Sequence, residues 1–227
     1  MTDSVPTAPP VPAATINRLP LYQRALAALD PRGTVSSAEL AEATGVNPAQ
    51  VRKDLSVLGL HGTRGVGYVA GDLLAQLSEH TGADEIHPLI VAGMGNLGLA
   101  VANHAGRRSQ GFTVVAAFDV DPKLIGRTFR VGDGTVTVSH PNELPAIARR
   151  TGAVLAVVAT PPAAAQQVCD DLIAAGITGI LNFSATPVRV PTGVHIRDVD
   201  LAQELQILAY HERRAHPGAD REEVNIR

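Results

Sequence analysis

The sequence predicts an α/β protein of two units, a small helical one followed by a parallel sheet with crossover helices. Three observations predict it. From Thr15 to about Gly82 the pattern is one of short helices with polar breaks. From Ile86 onward, apolar strand-like runs alternate with helical ones, the signature of parallel strands joined by crossovers. Between the first two such runs lies "VAGMGNLGLAVANHAG", with glycines spaced G-x-G-x-x-G.

Composition narrows the class. The 227 residues are 45% hydrophobic and 18% charged, as expected of an ordinary globular chain. Aromatics make up 3%, with no Trp, so the core must come from Val, Leu, Ile and Ala. A net charge of −3 gives no global sign of nucleic-acid binding, although a small basic surface can sit on an acidic protein. The single cysteine, Cys169, excludes an internal disulfide framework and a Cys-based zinc site. It falls in an apolar helical run and reads as a buried thiol. No metal is expected. The start of the chain lacks the basic, then apolar, run of a signal peptide, and no apolar stretch reaches about 18 residues, so no membrane partner and a cytoplasmic location are expected.

Taken in order, residues 1–14 are rich in Pro and Ala and read as a disordered tail. "SSAEL" then has the form of a capping box, with Ser36 as N-cap and Glu39 three residues on. Gly45 and Val46 make a short turn, Asn47 caps the next helix and Pro48 begins it. In "PAQVRKDLSVL", Val51, Leu55 and Leu58 share one face and pack inward. Ala49, Arg52, Lys53 and Ser56 take the opposite face, with Gln50 at its edge. Small, amide and basic side chains on an exposed helix suit the major groove, where Arg or Lys reads guanine and Gln reads adenine.

After it, "GLHGTRGVGY" is a glycine-punctuated hairpin with Arg64 near its tip, a wing suited to the minor groove. Residues 50–68 hold Arg52, Lys53 and Arg64 against Asp54 alone, a local charge of +2. The residues 15–82 thus read as a winged helix-turn-helix, or else as a helical cap with a solvated charged face.

Residues 83–199 read as a Rossmann doubly wound parallel sheet, with strands at 88–92, 113–119, 135–138, 153–160, 179–183 and 194–199. Gly93 permits the tight turn, Gly95 lets a pyrophosphate approach the backbone, and Gly98 allows close packing of helix on strand. Asn96 and Leu97 open the helix, whose free N–H groups favour an anion. Asp119 ends the next strand 21 residues after Gly98, near the spacing of about 20 expected for a ribose-binding acid. Its charge favours NAD(H) over NADP(H), while Lys123, placed at the cofactor, and Arg127 pull the other way. "ATPP" ends a later strand: Thr160 and Pro161 either line the cofactor cleft or simply start the next helix. Phe183, at the end of "GILNF", reads as an apolar neighbour of the nicotinamide or as core.

A dehydrogenase also needs a proton donor and a substrate-holding group, and little chain follows the sheet to supply them. His104 lies on the helix after the glycine turn and reads as a solvated helix residue or a general acid. No catalytic residue, and no enzyme activity, is expected. The open alternatives are an NAD-dependent oxidoreductase whose N-terminal unit serves assembly, and a CoA-binding or plain nucleotide-binding module.

The succession "TINRLPLYQRAL", "VRKDLSVLG", "GTRGVGY", "GMGNLG", "AFDVDP", "GILNF", "VDLAQELQILAYHE" resembles the Rex redox-sensing transcriptional repressors, from about Thr15 to about Arg214. The resemblance implies a homodimer that binds inverted-repeat operators in double-stranded DNA and is released by NADH, with NAD+ competing. It also implies that the last helix, 200–214, is exchanged between subunits. That helix is apolar on several sides, through Leu201, Leu205, Leu208, Ile207 and Tyr210. Residues 215–227 are then a second tail. Arg18 and Asp200 match the family's Arg–Asp pair that links the DNA-binding unit to the exchanged helix. Three features depart from the family pattern. His104 stands where a Tyr joins that network, Leu55-Ser56-Val57-Leu58-Gly59 replaces a more aromatic run, and Leu99 replaces an Arg after the third glycine.

Overall fold

The computed structural model describes residues 11–107 and 111–215. It divides between Glu85 and Ile86 into two units. The division falls three residues past the expected one, because Gly82, Ala83 and Glu85 still complete the end of the preceding helix through bonds to Glu79, Ser78 and Gly82.

The first unit contains α1 (Ala13–Ala27), β1 (Thr34–Val35), α2 (Ser37–Thr44), α3 (Pro48–Val57), β2 (Tyr68–Val69) and α4 (Ala70–Thr81). Of the two segments read as tails, residues 1–10 and 216–227 lie outside the described residues. The first was expected to run to residue 14, yet α1 begins at Ala13. The Pro12 carbonyl accepts the N–H groups of Thr15 and Ile16, so the proline sits at the helix mouth, where its missing donor costs nothing.

Both halves of the capping box form, with Ser36 Oγ accepting from the Glu39 amide at 3.1 Å and Glu39 Oε2 from the Ser36 amide at 2.7 Å. Gly45 closes α2 in the left-handed region at φ 68°, and Asn47 Oδ1 caps α3 through the Ala49 amide. The core joins Leu19, Tyr22 and Leu26 of α1 to Leu40, Val51, Leu55, Leu73 and Leu77. Each such side chain contributes about 1.5–3 kcal/mol by leaving water. Leu58, expected inside, is only half-buried, because it caps α3 instead of extending its inner face.

The second unit runs β3 (His87–Ala92), α5 (Asn96–Ala105), β4 (Phe112–Phe118), β5 (Thr128–Val131), β6 (Gly134–Ser139), a 3-10 turn (Pro141–Glu143), α6 (Leu144–Thr151), β7 (Leu155–Val158), α7 (Pro162–Ala174), β8 (Gly179–Asn182), β9 (His195–Asp198) and α8 (Leu201–Ala215). The sheet order is β5-β6-β4-β3-β7-β8-β9. All pairs are parallel except β5–β6. β5 is an antiparallel edge strand, and it was not among the expected ones.

Helices lie on both faces. Ile90 and Ala92 pack with the α6–α7 side, and Leu89 and Val91 with the α5 side, as the two-residue period of a strand requires. The chain leaves β3 toward β4 and later returns on β3's other flank through β7. This reversal opens a crevice at the carboxyl ends of β3 and β7.

Candidate nucleotide cleft and nucleic-acid interface

The crevice at that reversal is a cleft of about 640 Å3, lined by residues from the carboxyl ends of β3, β4, β7 and β8. Gly93, at φ 92°, turns the chain out of β3; a Cβ there would come within 2.6 Å of the Ala159 carbonyl oxygen. A Cβ on Gly98 would collide with the Gly93 carbonyl, so α5 can lie this close to the turn only with glycine. Above Gly95 no protein atom stands within 4 Å: the room there belongs to the cleft.

α5 opens on this space with no side-chain cap, leaving its first N–H groups for an anion. Asp119 Oδ2 accepts the Met94 amide at 2.7 Å and Oδ1 accepts the Asp121 amide at 2.9 Å. Thr160 Oγ1 is buried and has no hydrogen-bond partner among the described residues. A buried hydroxyl left unpaired costs about 1–3 kcal/mol, which a ligand hydrogen bond would recover. The open room above Gly95, the uncapped helix and the orphan hydroxyl fit a dinucleotide.

Of the residues expected at the cofactor, Gly93, Gly95, Asn96, Leu97, Asp119, Thr160, Pro161 and Phe183 line this cleft. Gly98 sits behind it as a packing residue. Lys123 is exposed and outside the lining; its amide donates to Asp121 Oδ1. His104 is exposed at the far end of α5 and does not line the cleft either. The cleft also takes in Leu144, Val168, Ser184 and Ala185, which apolar runs in sequence could not single out. Ala185 holds φ 54°, the sole non-glycine residue in the left-handed region among the described residues. Burial pushes the Cys169 thiol up to about 11, assisted by Asp170 and Asp198.

In the first unit, α3 turns Ala49, Arg52, Lys53 and Ser56 outward, all exposed, while Val51 and Leu55 are fully buried. Arg52 Nη1 donates to Ser37 Oγ at 3.0 Å, which aims the guanidinium along the start of α2. Arg64 is exposed in the turn of the wing, closed by the Thr63–Gly67 bridge and by left-handed Gly65 and Gly67. Asp54 does not share this surface. It is fully buried, so the local acid that offsets the basic charge in sequence is absent from the face itself.

Asp54 meets α1. Arg18 grips its carboxylate with Nε at 2.6 Å and Nη2 at 2.8 Å, Tyr22 donates its hydroxyl at 2.7 Å, and Thr15 at 2.9 Å. Gln50, expected at the edge of the reading face, donates its amide to the same carboxylate at 2.8 Å. Burial alone would raise the Asp54 carboxyl; the four donor residues overcome it and hold it well below the usual carboxylate range. The Asp54 hydrogen bonds likewise outweigh burial and hold Arg18 above its ordinary value, and burial with Asp54 raises Tyr22. Asp200 Oδ1 accepts the Ala202 and Gln203 amides at the start of α8.

Comparison with known proteins meets both halves. Residues 10–56 match the family model "Putative DNA-binding protein N-terminus", and residues 84–186 the "CoA binding domain". The chain is 52% identical over 206 residues to a redox-sensing transcriptional repressor Rex of Streptomyces coelicolor, covering 90% of this chain and 78% of that one. It is 41% identical to the Rex of Pelotomaculum thermopropionicum, over 88% of this chain and 93% of the relative. The fold superposes on RSP, a Rex-family repressor. With RSP bound to β-NAD+ and operator DNA, the TM-score is 0.82 at 32% identity, over 91% of this chain and 94% of the other. With RSP bound to β-NADH, the TM-score is 0.79 at 32% identity, over 90% and 95%. The chain belongs to the Rex family of redox-sensing transcriptional repressors.

Proposed function

We infer that this protein represses transcription as a homodimer on inverted-repeat operator DNA, and that NADH entering the cleft releases it while NAD+ competes. One observation carries the inference: a dinucleotide cleft with an orphan hydroxyl at Thr160 shares its chain with an exposed basic recognition helix. The relatives' repressor name and the RSP complexes with β-NAD+, β-NADH and operator DNA support assigning these ligands here. An oxidoreductase is not favoured, because the relatives that span the chain are named as repressors.

Asp119 receives the adenosine ribose, the start of α5 receives the pyrophosphate, and Thr160, Pro161 and Phe183 stand at the nicotinamide end. NADH and NAD+ differ there by one charge. Burying a cation beside an apolar wall costs far more than burying a neutral ring, so the wall formed by Phe183 and Ala185 favours the reduced form. Arg52, Lys53, Ala49, Ser56 and Arg64 face the DNA.

α8 supplies the dimer contact, as the swapped helix. Leu201, Leu205, Leu208 and Tyr210 are each more than half exposed within one chain (55%, 65%, 63% and 57%), and such a helix needs a partner. Arg18, His104 and Asp200 form the switch between dimer arrangements. A near-complete switch requires NADH to prefer one arrangement by about 10⁴-fold. Among the described residues no helix is long and apolar enough to cross a membrane, and a DNA-bound repressor shares the cytoplasm with the chromosome.

The test is to enrich a duplex from a randomised pool with the protein, then titrate NADH against the labelled duplex while following nucleotide absorbance. Release of the duplex with no consumption of NADH is expected. Oxidation of NADH with the duplex still bound would overturn the proposal in favour of an oxidoreductase.

A further inference from the structure

We propose that Asp54 is the positioning residue of the recognition helix: its buried carboxylate, bonded across to α1, sets the pose in which α3 meets DNA, and Gln50 belongs to that anchor and not to base reading. The proposal rests on α3 being the DNA-reading helix.

A carboxylate has about four lone-pair sites, and Asp54 receives five hydrogen bonds from four side chains. Three of the donors, Thr15, Arg18 and Tyr22, recur along one face of α1 at spacings of three and four. Such a hub accepts one rotation of α3 about its axis and one height along α1. Apolar packing at the same place would hold the helices together as strongly, because a buried ion pair is no stronger than well-packed hydrocarbon. What the directional bonds add is orientation.

Orientation matters here, since neighbouring residues on a helix point about 100° apart and base contacts tolerate only a few tenths of an ångström. Lys53 precedes Asp54 directly and points outward as Asp54 points in; the hub therefore fixes the aim of Lys53. Gln50 lies one turn before Asp54 and is half-buried, with its amide donating inward. Reaching an adenine would cost it that bond.

The experiment compares the unaltered protein with Asp54→Asn, Tyr22→Phe and Gln50→Ala. For each, affinity is measured for the duplex enriched by the unaltered protein and for a scrambled duplex, over a salt series and corrected for folded fraction. The ratio of the two affinities should fall at least about tenfold in Asp54→Asn and about threefold in Tyr22→Phe. Affinity for the scrambled duplex and the salt slope should stay unchanged, since the phosphate-facing cations remain. Gln50→Ala should enrich the same base sequence, with a lower ratio. An unaltered ratio in folded Asp54→Asn reduces the hub to a stability element and overturns the proposal. Should that variant not fold, an unaltered ratio in Tyr22→Phe, which keeps the ion pair, does the same. A changed base preference in Gln50→Ala returns Gln50 to base reading. If the unaltered protein enriches no duplex, the DNA-reading role of α3 fails, a result distinct from all of these.

Discussion

The Asp119 carboxylate accepts the Met94 amide at 2.7 Å, which joins the end of β4 to the glycine turn after β3. The acidic residue therefore shapes the turn, besides the ribose contact proposed for it. Each of its oxygens already takes one backbone donor, from Met94 and Asp121, and keeps room for another.

Asp119→Ala should weaken NADH binding by about 10–100-fold, since each hydrogen bond to a charged group contributes about 1.5–3 kcal/mol. Asp119→Asn should lose less, because its amide oxygen can still accept from Met94. NADPH should gain relative to NADH in both, once the charge that repels a 2′-phosphate is gone. Calorimetric titration with each nucleotide checks this, and equal binding of NADPH and NADH by the unaltered protein would remove the role given to Asp119.

Gly95→Ala and Gly98→Ala should part company. The added methyl at Gly95 meets no protein atom within 4 Å, so thermal unfolding should be unchanged while NADH affinity falls and the nucleotide no longer releases DNA. At Gly98 the methyl collides with the Gly93 carbonyl, and the second unit itself should lose stability. Melting curves with and without NADH separate the two cases.

Arg52→Ala and Lys53→Ala should weaken operator binding, and the slope of log affinity against log salt should drop by about one unit for each phosphate-binding cation removed. Arg64→Ala should mainly weaken the hold of the wing on DNA. Full binding in the double Arg52, Lys53 alanine variant would take the recognition role away from α3.

Asp54 ties stability to acid. Its ordinary value is 3.8 and its folded value lies well below that, so its contribution is complete above the unfolded value and declines as pH falls below about 4. Asp54→Asn leaves Arg18 without its charge partner and should cost about 3–5 kcal/mol at neutral pH. The gap between the variant and the unaltered protein should narrow toward about pH 2. Urea unfolding of the first unit across that range is the measurement; a constant gap would show that Asp54 does not titrate with unfolding.

Cys169 is fully buried and its thiol is raised to about 11, so little thiolate forms at neutral pH. A thiol-directed disulfide reagent should leave the native protein unlabelled and react with one thiol per chain once urea unfolds it. Cys169→Ser should leave NADH release of DNA intact, placing redox sensing in the nucleotide cleft.

Much of the fold was legible because its signals are local. The capping box at Ser36 and Glu39 needs only residues three apart, and the strand runs at 88–92 and 113–119 only a continuous apolar stretch. β5 carries a local signal too. Gly132 and Asp133 form a two-residue turn between "TFRV" and "GTVTVS", a standard hairpin signal. Parallel crossovers dominate this half of the chain, and the antiparallel edge was hidden among them.

Asp54 marks the boundary between what the sequence alone determined and what only tertiary structure decided. The outward aim of Arg52 and Lys53 follows from helical period, whereas Asp54, counted in sequence against the basic charge of that surface, lies on the inner face of α3 and is fully buried. The glycine spacing and the acid at Asp119 pointed to the cleft in the same local way. Long-range packing decided the rest. It brought Arg18, 36 residues from Asp54, to pair with that carboxylate, turned Gln50 inward, tied Asp119 to Met94, and left Lys123 outside the cleft. Local periodicity states which way a side chain points from its own helix or strand; which group meets it there depends on how distant segments pack, and pattern within a segment carries no record of that.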